Sequence, residues 1–74
     1  MKWTSAIKKI EKAMAEGKKV KIEYHRKWMP ITYYGIVENV VDYEYQGERC
    51  KAVNTYHDGI DEYAHIIDDV IIEA

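Results

Sequence analysis

The chain contains no phenylalanine, one proline (Pro30) and one cysteine (Cys50), and each scarcity narrows what it can be. A single cysteine forbids an internal disulfide, so nothing points to the disulfide scaffolds of oxidising compartments. No apolar run approaches the ~18 residues of a membrane span. Met1-Lys2-Trp3-Thr4-Ser5 leads into lysines rather than the apolar stretch of a signal peptide. A cytoplasmic protein with no membrane partner is therefore expected. His25, His57 and His65 lack the i,i+4 or Cys-x-x-Cys spacing of a zinc site, and Asp58-Gly59-Ile60-Asp61-Glu62 lacks the ligand order of a calcium loop. There is no glycine-rich phosphate cradle and no Gly-x-Ser-x-Gly. No metal, cofactor or catalytic residue is expected. A lone strand cysteine reads as a small apolar side chain rather than a nucleophile, so the chain reads as a non-enzyme.

What is present is tyrosine: seven of them, with two tryptophans, in 74 residues. Tyrosine has an apolar body and a hydroxyl that needs a partner, which suits half-buried sheet positions and contact faces alike. A domain this short buries only roughly 60% of its unfolded surface and is marginal alone, which, with exposed strand edges, leads to an expectation of homo-oligomers. Charge is polarised along the chain. Residues 1–27 hold nine Lys/Arg against three Glu, and residues 28–74 hold two against ten Asp/Glu, for a net −2. Either the first and last strands pair and offset one another, or the molecule has a basic and an acidic face.

The element the rest is built around is Gly17-Lys18-Lys19-Val20-Lys21-Ile22-Glu23-Tyr24, where a helix passes directly into a strand. Before it, Trp3, Ala6, Ile7, Ile10, Ala13 and Met14 form one apolar stripe, which predicts a helix over about 4–16 with Thr4 or Ser5 as N-cap and Gly17 just past its end. After it, Val20, Ile22 and Tyr24 alternate with charges, the period of a strand with one wet face. Strands are expected at about 18–25, 31–37, 40–45, 48–56 and 60–72, the last broken near 67–69. The phase slip at Glu38-Asn39 predicts a bulge, a turn or a bend, and Gln46-Gly47 a hairpin turn. In the loop before Pro30, Trp28 either folds back over the core or stands out as a contact residue. The fold class is α+β: one domain over 1–74, an N-terminal amphipathic helix followed by a five-stranded, mostly antiparallel SH3-like or Sm-like barrel.

The pattern Ile10-x-x-Ala13-x-x-x-Gly17-Lys18-x-Val20-x-Ile22-x-Tyr24 resembles the opening of the WYL family of bacterial ligand-sensing domains. The ending Glu62-x-x-His65-Ile66-Ile67-Asp68-Asp69-Val70-Ile71-Ile72 resembles that family's closing segment, in which an arginine-rich run precedes the final strand. The resemblance implies an Sm-like barrel that binds nucleotides or nucleic acid. The chain departs from it in having Lys51-Ala52-Val53 nearest to the Trp-Tyr-Leu triplet, and Ile66 and Asp69 where arginine stands; Asp68 is the polar match. Gly35-x-Val37 and the closing Asp-Val-Ile are similar to YolD-like small barrels, which implies the same fold.

Two binding surfaces can be drawn. Cations beside aromatic rings suit a nucleotide-type small molecule or short nucleic acid, since a ring stacks on a base while a cation meets phosphate. The residues are Lys19, Lys21, His25, Arg26 and Trp28 on the first strand and its loop, Tyr34 on the second, and Arg49 and Lys51 on the fourth. Such a module would sense or sequester its ligand. The alternative is a protein–protein module, such as a phage-encoded or regulatory inhibitor, docking Asp58, Asp61, Glu62, Asp68 and Asp69 on a basic host surface.

Overall fold

The computed structural model describes residues 2–73. The apolar stripe forms helix α1 (Trp3–Ala15), with Ala6, Ile7, Ile10 and Ala13 buried and Trp3 and Met14 packed at the edge of the same cluster. The helix starts one residue earlier than the sequence predicts. Thr4 and Ser5 consequently lie inside its first turn, and the capping position falls to Lys2, whose side chain makes no cap bond. The first turn also holds no acid, so the positive end of the helix is left uncompensated. The other end closes as expected. Gly17 takes φ +75°, its N–H donates to Met14 O (3.0 Å), and Lys18 N–H donates to Ala13 O (3.0 Å), the paired bonds of a glycine-terminated helix.

Five antiparallel strands follow: β1 (Lys19–Arg26), β2 (Thr32–Tyr45), β3 (Glu48–Thr55), β4 (Gly59–Asp61) and β5 (His65–Glu73), ordered β4-β3-β2-β1-β5 in one sheet. The fold is thus α+β, with α1 packed against β1 and β5. Its core is a cluster in which Ile10, Val20, Ile22, Val53, Ile60 and Ile67 are fully buried. Because β1 pairs with β5, the two charge-polarised ends of the chain lie side by side: Lys19 sits opposite Glu73, and Glu23 opposite Asp69. The polarity of the sequence is therefore offset at Lys19–Glu73 but not at Glu23–Asp69, where two carboxylates face one another.

Two stretches differ from the strand boundaries expected of the sequence. The segments 31–37 and 40–45 are one strand, β2. Its first part pairs with β1 (Thr32–Ile36) and the remainder with β3, and the register slips from Val37 opposite Thr55 to Asn39 opposite Asn54, leaving Glu38 as a bulge. The break expected near 67–69 falls instead at residues 62–64. There the Asp61 carboxylate accepts from the N–H groups of Tyr63 (2.9 Å) and Ala64 (3.2 Å), holding the chain in a turn without help from glycine or proline. Strand β5 runs unbroken past Asp68-Asp69 because Asp68 is an extra residue: pairing steps from Glu23–Asp69 to Tyr24–Ile67.

The sheet is not closed, and β4 and β5 are its two edges. Only residues 62–64 separate them in sequence, so the sheet curls until its edges meet at that turn. Two contacts hold the curl. Lys27 N–H donates to Ala64 O (3.0 Å), and Tyr63 stacks on Tyr45 at the β2–β3 hairpin (centroids 4.8 Å apart) while its hydroxyl donates to Glu48 (2.9 Å).

Candidate functional site

The outer face of β1 carries Lys19, Lys21, Glu23 and His25 at alternate positions, as its period dictates. Tyr34 lies opposite Glu23 on β2, and Lys21 Nζ reaches over its ring, 5.5 Å from the centroid. Desolvation is slight here, so such a cation–π pair contributes on the order of 0.5–1 kcal/mol; its main effect is to orient both groups. Tyr34 is 61% exposed and Trp28, in the loop after β1, is 66% exposed, so Trp28 does not fold back over the core. Arg26 ends β1. His25 Nδ1 is 2.7 Å from the Asp68 carboxylate, placed within reach by the β5 bulge. Six of the eight expected ligand residues thus share β1, its loop and the adjoining part of β2.

Arg49 and Lys51 do not join them. They sit on β3 opposite Glu44 and Asp42, on the half of β2 that has left β1 behind. Asp42 is six residues beyond Ile36, the last position paired to β1, which is roughly 20 Å of strand. Lys51 Nζ is 2.9 Å from Asp42 Oδ1, and the contact holds the Asp42 carboxyl below its ordinary range and pushes the Lys51 ammonium up. The length of β2 separates residues that look close in a list of cations.

No family model, curated protein or solved structure matches this chain. What the site can do must therefore be read from its own groups.

The acidic set is largely committed to the fold. Asp58 accepts from the Tyr24 hydroxyl (3.1 Å), Asp61 caps the 62–64 turn, Asp68 bonds His25, and Asp69 accepts from the N–H of Val70 (2.9 Å). Among the described residues Glu62 has no such side-chain bond. Burial, then the neighbouring Asp58 carboxylate, pushes the Tyr24 phenol up to about 12; Tyr63, whose hydroxyl donates to Glu48, is likewise pushed up to about 12. A phenol whose folded value is raised supports the fold fully below pH ~10 and loses that support as pH rises through ~12. Spectrophotometric titration at alkaline pH should show a late-ionising fraction that shrinks by one tyrosine in Tyr24→Phe. An unchanged late fraction in that variant would contradict the assignment.

Cys50 is half-buried, and burial followed by the Glu62 and Asp61 charges pushes its thiol up, away from the thiolate form a nucleophile needs. Among the described residues there is no group of three or more His, Cys, Asp or Glu side chains placed to hold a metal ion. No helix among them is long and apolar enough to cross a membrane.

The sequence gives little warning of one further feature. An open cavity of about 420 Å³ lies where the start of α1 meets the 62–64 turn and the start of β5, with Trp3, Lys27, Glu62 and His65 in its wall. In the sequence Trp3 and His65 read as one core-stripe residue and one isolated histidine. Their proximity depends on the curl of the sheet.

Proposed function

We propose that this protein is a non-enzymatic cytoplasmic binding module of the WYL-like small-barrel kind, taking a nucleotide-type ligand or short single-stranded nucleic acid on the outer face of β1 and β2. The barrel reading is supported by the curl that brings the β4 and β5 edges to one three-residue turn. The binding reading rests on one observation: two rings, Tyr34 and Trp28, are 61% and 66% exposed beside the basic strand β1. Exposed rings of this size next to cations are the stacking surfaces and phosphate contacts that single strands use. Lys19 and Lys21 supply charge, and the ligand's base lies on Tyr34 or Trp28, while Arg26 has the strand parity of the buried Tyr24. Arg49 and Lys51 stand outside this surface. The alternative, docking of the acidic residues on a basic partner, has less support because four of those five carboxylates are already bonded within the chain.

Fluorescence anisotropy with a short labelled single-stranded DNA, competed with ATP, tests the proposal. Replacing either ring by alanine should weaken binding about 5- to 100-fold, the range for loss of one stacked base. Lys21→Gln should reduce the salt dependence by about one phosphate contact, and Arg49→Gln should leave affinity unchanged. Competition by ATP alone would mark a nucleotide site; its failure to compete would mark a strand site. Equal binding by the wild type and the Trp28→Ala/Tyr34→Ala double variant would end the proposal.

A further inference from the structure

The outer face of β1 holds one carboxylate that the fold leaves unemployed. Glu23 is half-buried between Tyr34 on β2 and Asp69 on β5, and among the described residues its side chain makes no hydrogen bond or ion pair. Directly opposed residues of antiparallel strands stand about 4.5–5.5 Å apart at Cβ and share a face, so Glu23 flanks the exposed Tyr34 ring. Asp69 accepts from the N–H of Val70 through Oδ1, whereas Glu23 meets only a second negative charge across the ladder, an arrangement that destabilises it. A ligand that brings N–H donors to Glu23 relieves it.

These charges fix how a nucleotide can lie. Glu23 and Asp69 repel a phosphate. Lys21 has Ile36 and Ile71 opposite it on the two neighbouring strands, so no carboxylate stands across from it. It is one alternate position from Glu23, about 7 Å along β1, and its exposed contact with the Tyr34 ring is weak enough to exchange for a phosphate oxygen. The phosphate therefore goes to Lys21, and the edge of the stacked base turns toward Glu23. A carboxylate only accepts, and its two oxygens match two adjacent donors. Guanine offers that pair, N1–H and the N2 amine. Adenine and cytosine each set an acceptor nitrogen beside their one amine, and thymine flanks its N–H with carbonyls. A guanidinium has paired donors too, but Lys21 already holds the cation position over the ring.

We propose that Glu23 makes this surface selective for guanine, accepting from N1–H and N2–H of a base stacked on Tyr34 while Lys21 meets its phosphate. The inference rests on the strand-binding surface proposed above and adds to it the base that is read.

Fluorescence anisotropy with short labelled thymidine strands carrying guanine, hypoxanthine, adenine or cytosine at the centre tests it. Guanine should be preferred over adenine and cytosine by about 5- to 150-fold, the discrimination of one bidentate contact. Hypoxanthine, which lacks the N2 amine, should lose most of that preference. Glu23→Gln keeps the shape of the side chain, and because every strand gains from the loss of a negative charge, the ratio between strands is the readout. That preference should disappear in Glu23→Gln and in Tyr34→Ala, whereas Trp28→Ala should weaken every strand and preserve it. Equal binding of all four strands, a preference unchanged in Glu23→Gln, or displacement by arginine amide as effective as by guanosine monophosphate would each overturn the proposal and leave the strand-binding surface standing. Failure of every strand to bind would end both.

Discussion

Ile22→Ala is expected to lower the unfolding free energy by about 3–4 kcal/mol, the upper-middle of the range for truncating a buried isoleucine. The site explains the size. Ile22 is fully buried in β1, an interior strand, with Val70 opposite on β5 and Gly35 opposite on β2. Glycine has no side chain to lean into the space, so the cavity left by truncation cannot collapse from that side. A chain of 74 residues has a total stability of only about 4–11 kcal/mol by the usual per-residue range, so this one change removes a large part of it. Urea denaturation followed by far-ultraviolet circular dichroism should show the midpoint falling with the slope unchanged. A loss below about 1 kcal/mol would mean that α1 settles onto β1 and refills the space.

Gly35→Ala is expected to cost about 2–3 kcal/mol, for the opposite reason, since it adds an atom where there is no room. A Cβ at position 35 would lie 2.8 Å from Thr55 Cγ2 and 3.1 Å from Thr55 Cβ. Thr55 cannot swing aside cheaply. Its hydroxyl donates to Asp58 O (2.9 Å) and accepts from Asp58 N–H (3.1 Å), and its own N–H donates to the same carbonyl (2.9 Å). Thr55→Ser keeps those bonds and removes the clashing methyl. Combined with Gly35→Ala it should recover at least about 1 kcal/mol relative to additivity in a double-mutant cycle. Strict additivity would place the strain elsewhere, in the bend of β2 itself.

These two changes bracket what the sequence discloses. The stripe from Trp3 to Met14 and the alternation of Val20, Ile22 and Tyr24 locate α1 and β1 because each has a period that its own environment imposes. The phase slip at Glu38-Asn39 is legible too, as one of three devices, and the structure selects the bulge. By contrast, the 62–64 turn carries no glycine or proline. It exists because the Asp61 carboxylate satisfies two backbone donors, and aspartate at that position looks like any solvated charge. Strand β5 hides its continuity for a related reason: two adjacent aspartates mimic a loop, whereas Asp68 is an inserted residue that leaves the alternation on either side of it intact.

The candidate surfaces show the same division. Lys19, Lys21, His25 and Tyr34 share a surface by strand period and pairing of adjacent strands, both of which a sequence can carry. Arg49 and Lys51 belong elsewhere because the register of the long β2 sets them against Asp42 and Glu44, and register over that length is a three-dimensional result. The buried nitrogens Trp3 Nε1 and His65 Nε2, without partners among the described residues, lie beyond any sequence pattern, since such an atom is defined by what is missing around it.

The pairing of β1 with β5 also has a consequence in time. Its paired residues are between 39 and 54 positions apart. On a ribosome adding roughly 5–20 residues per second, β1 waits several seconds for its second neighbour to be made. During that interval α1 and the β1–β2 hairpin can already meet, but one side of β1 offers unpaired amides and Val20, Ile22 and Tyr24 to anything nearby. Closing so distant a pair also makes the last step of folding slow compared with local helix formation. Newly made copies of this protein are therefore more exposed to aggregation and proteolysis than finished ones, and the final strand acts as the latch that ends the exposure.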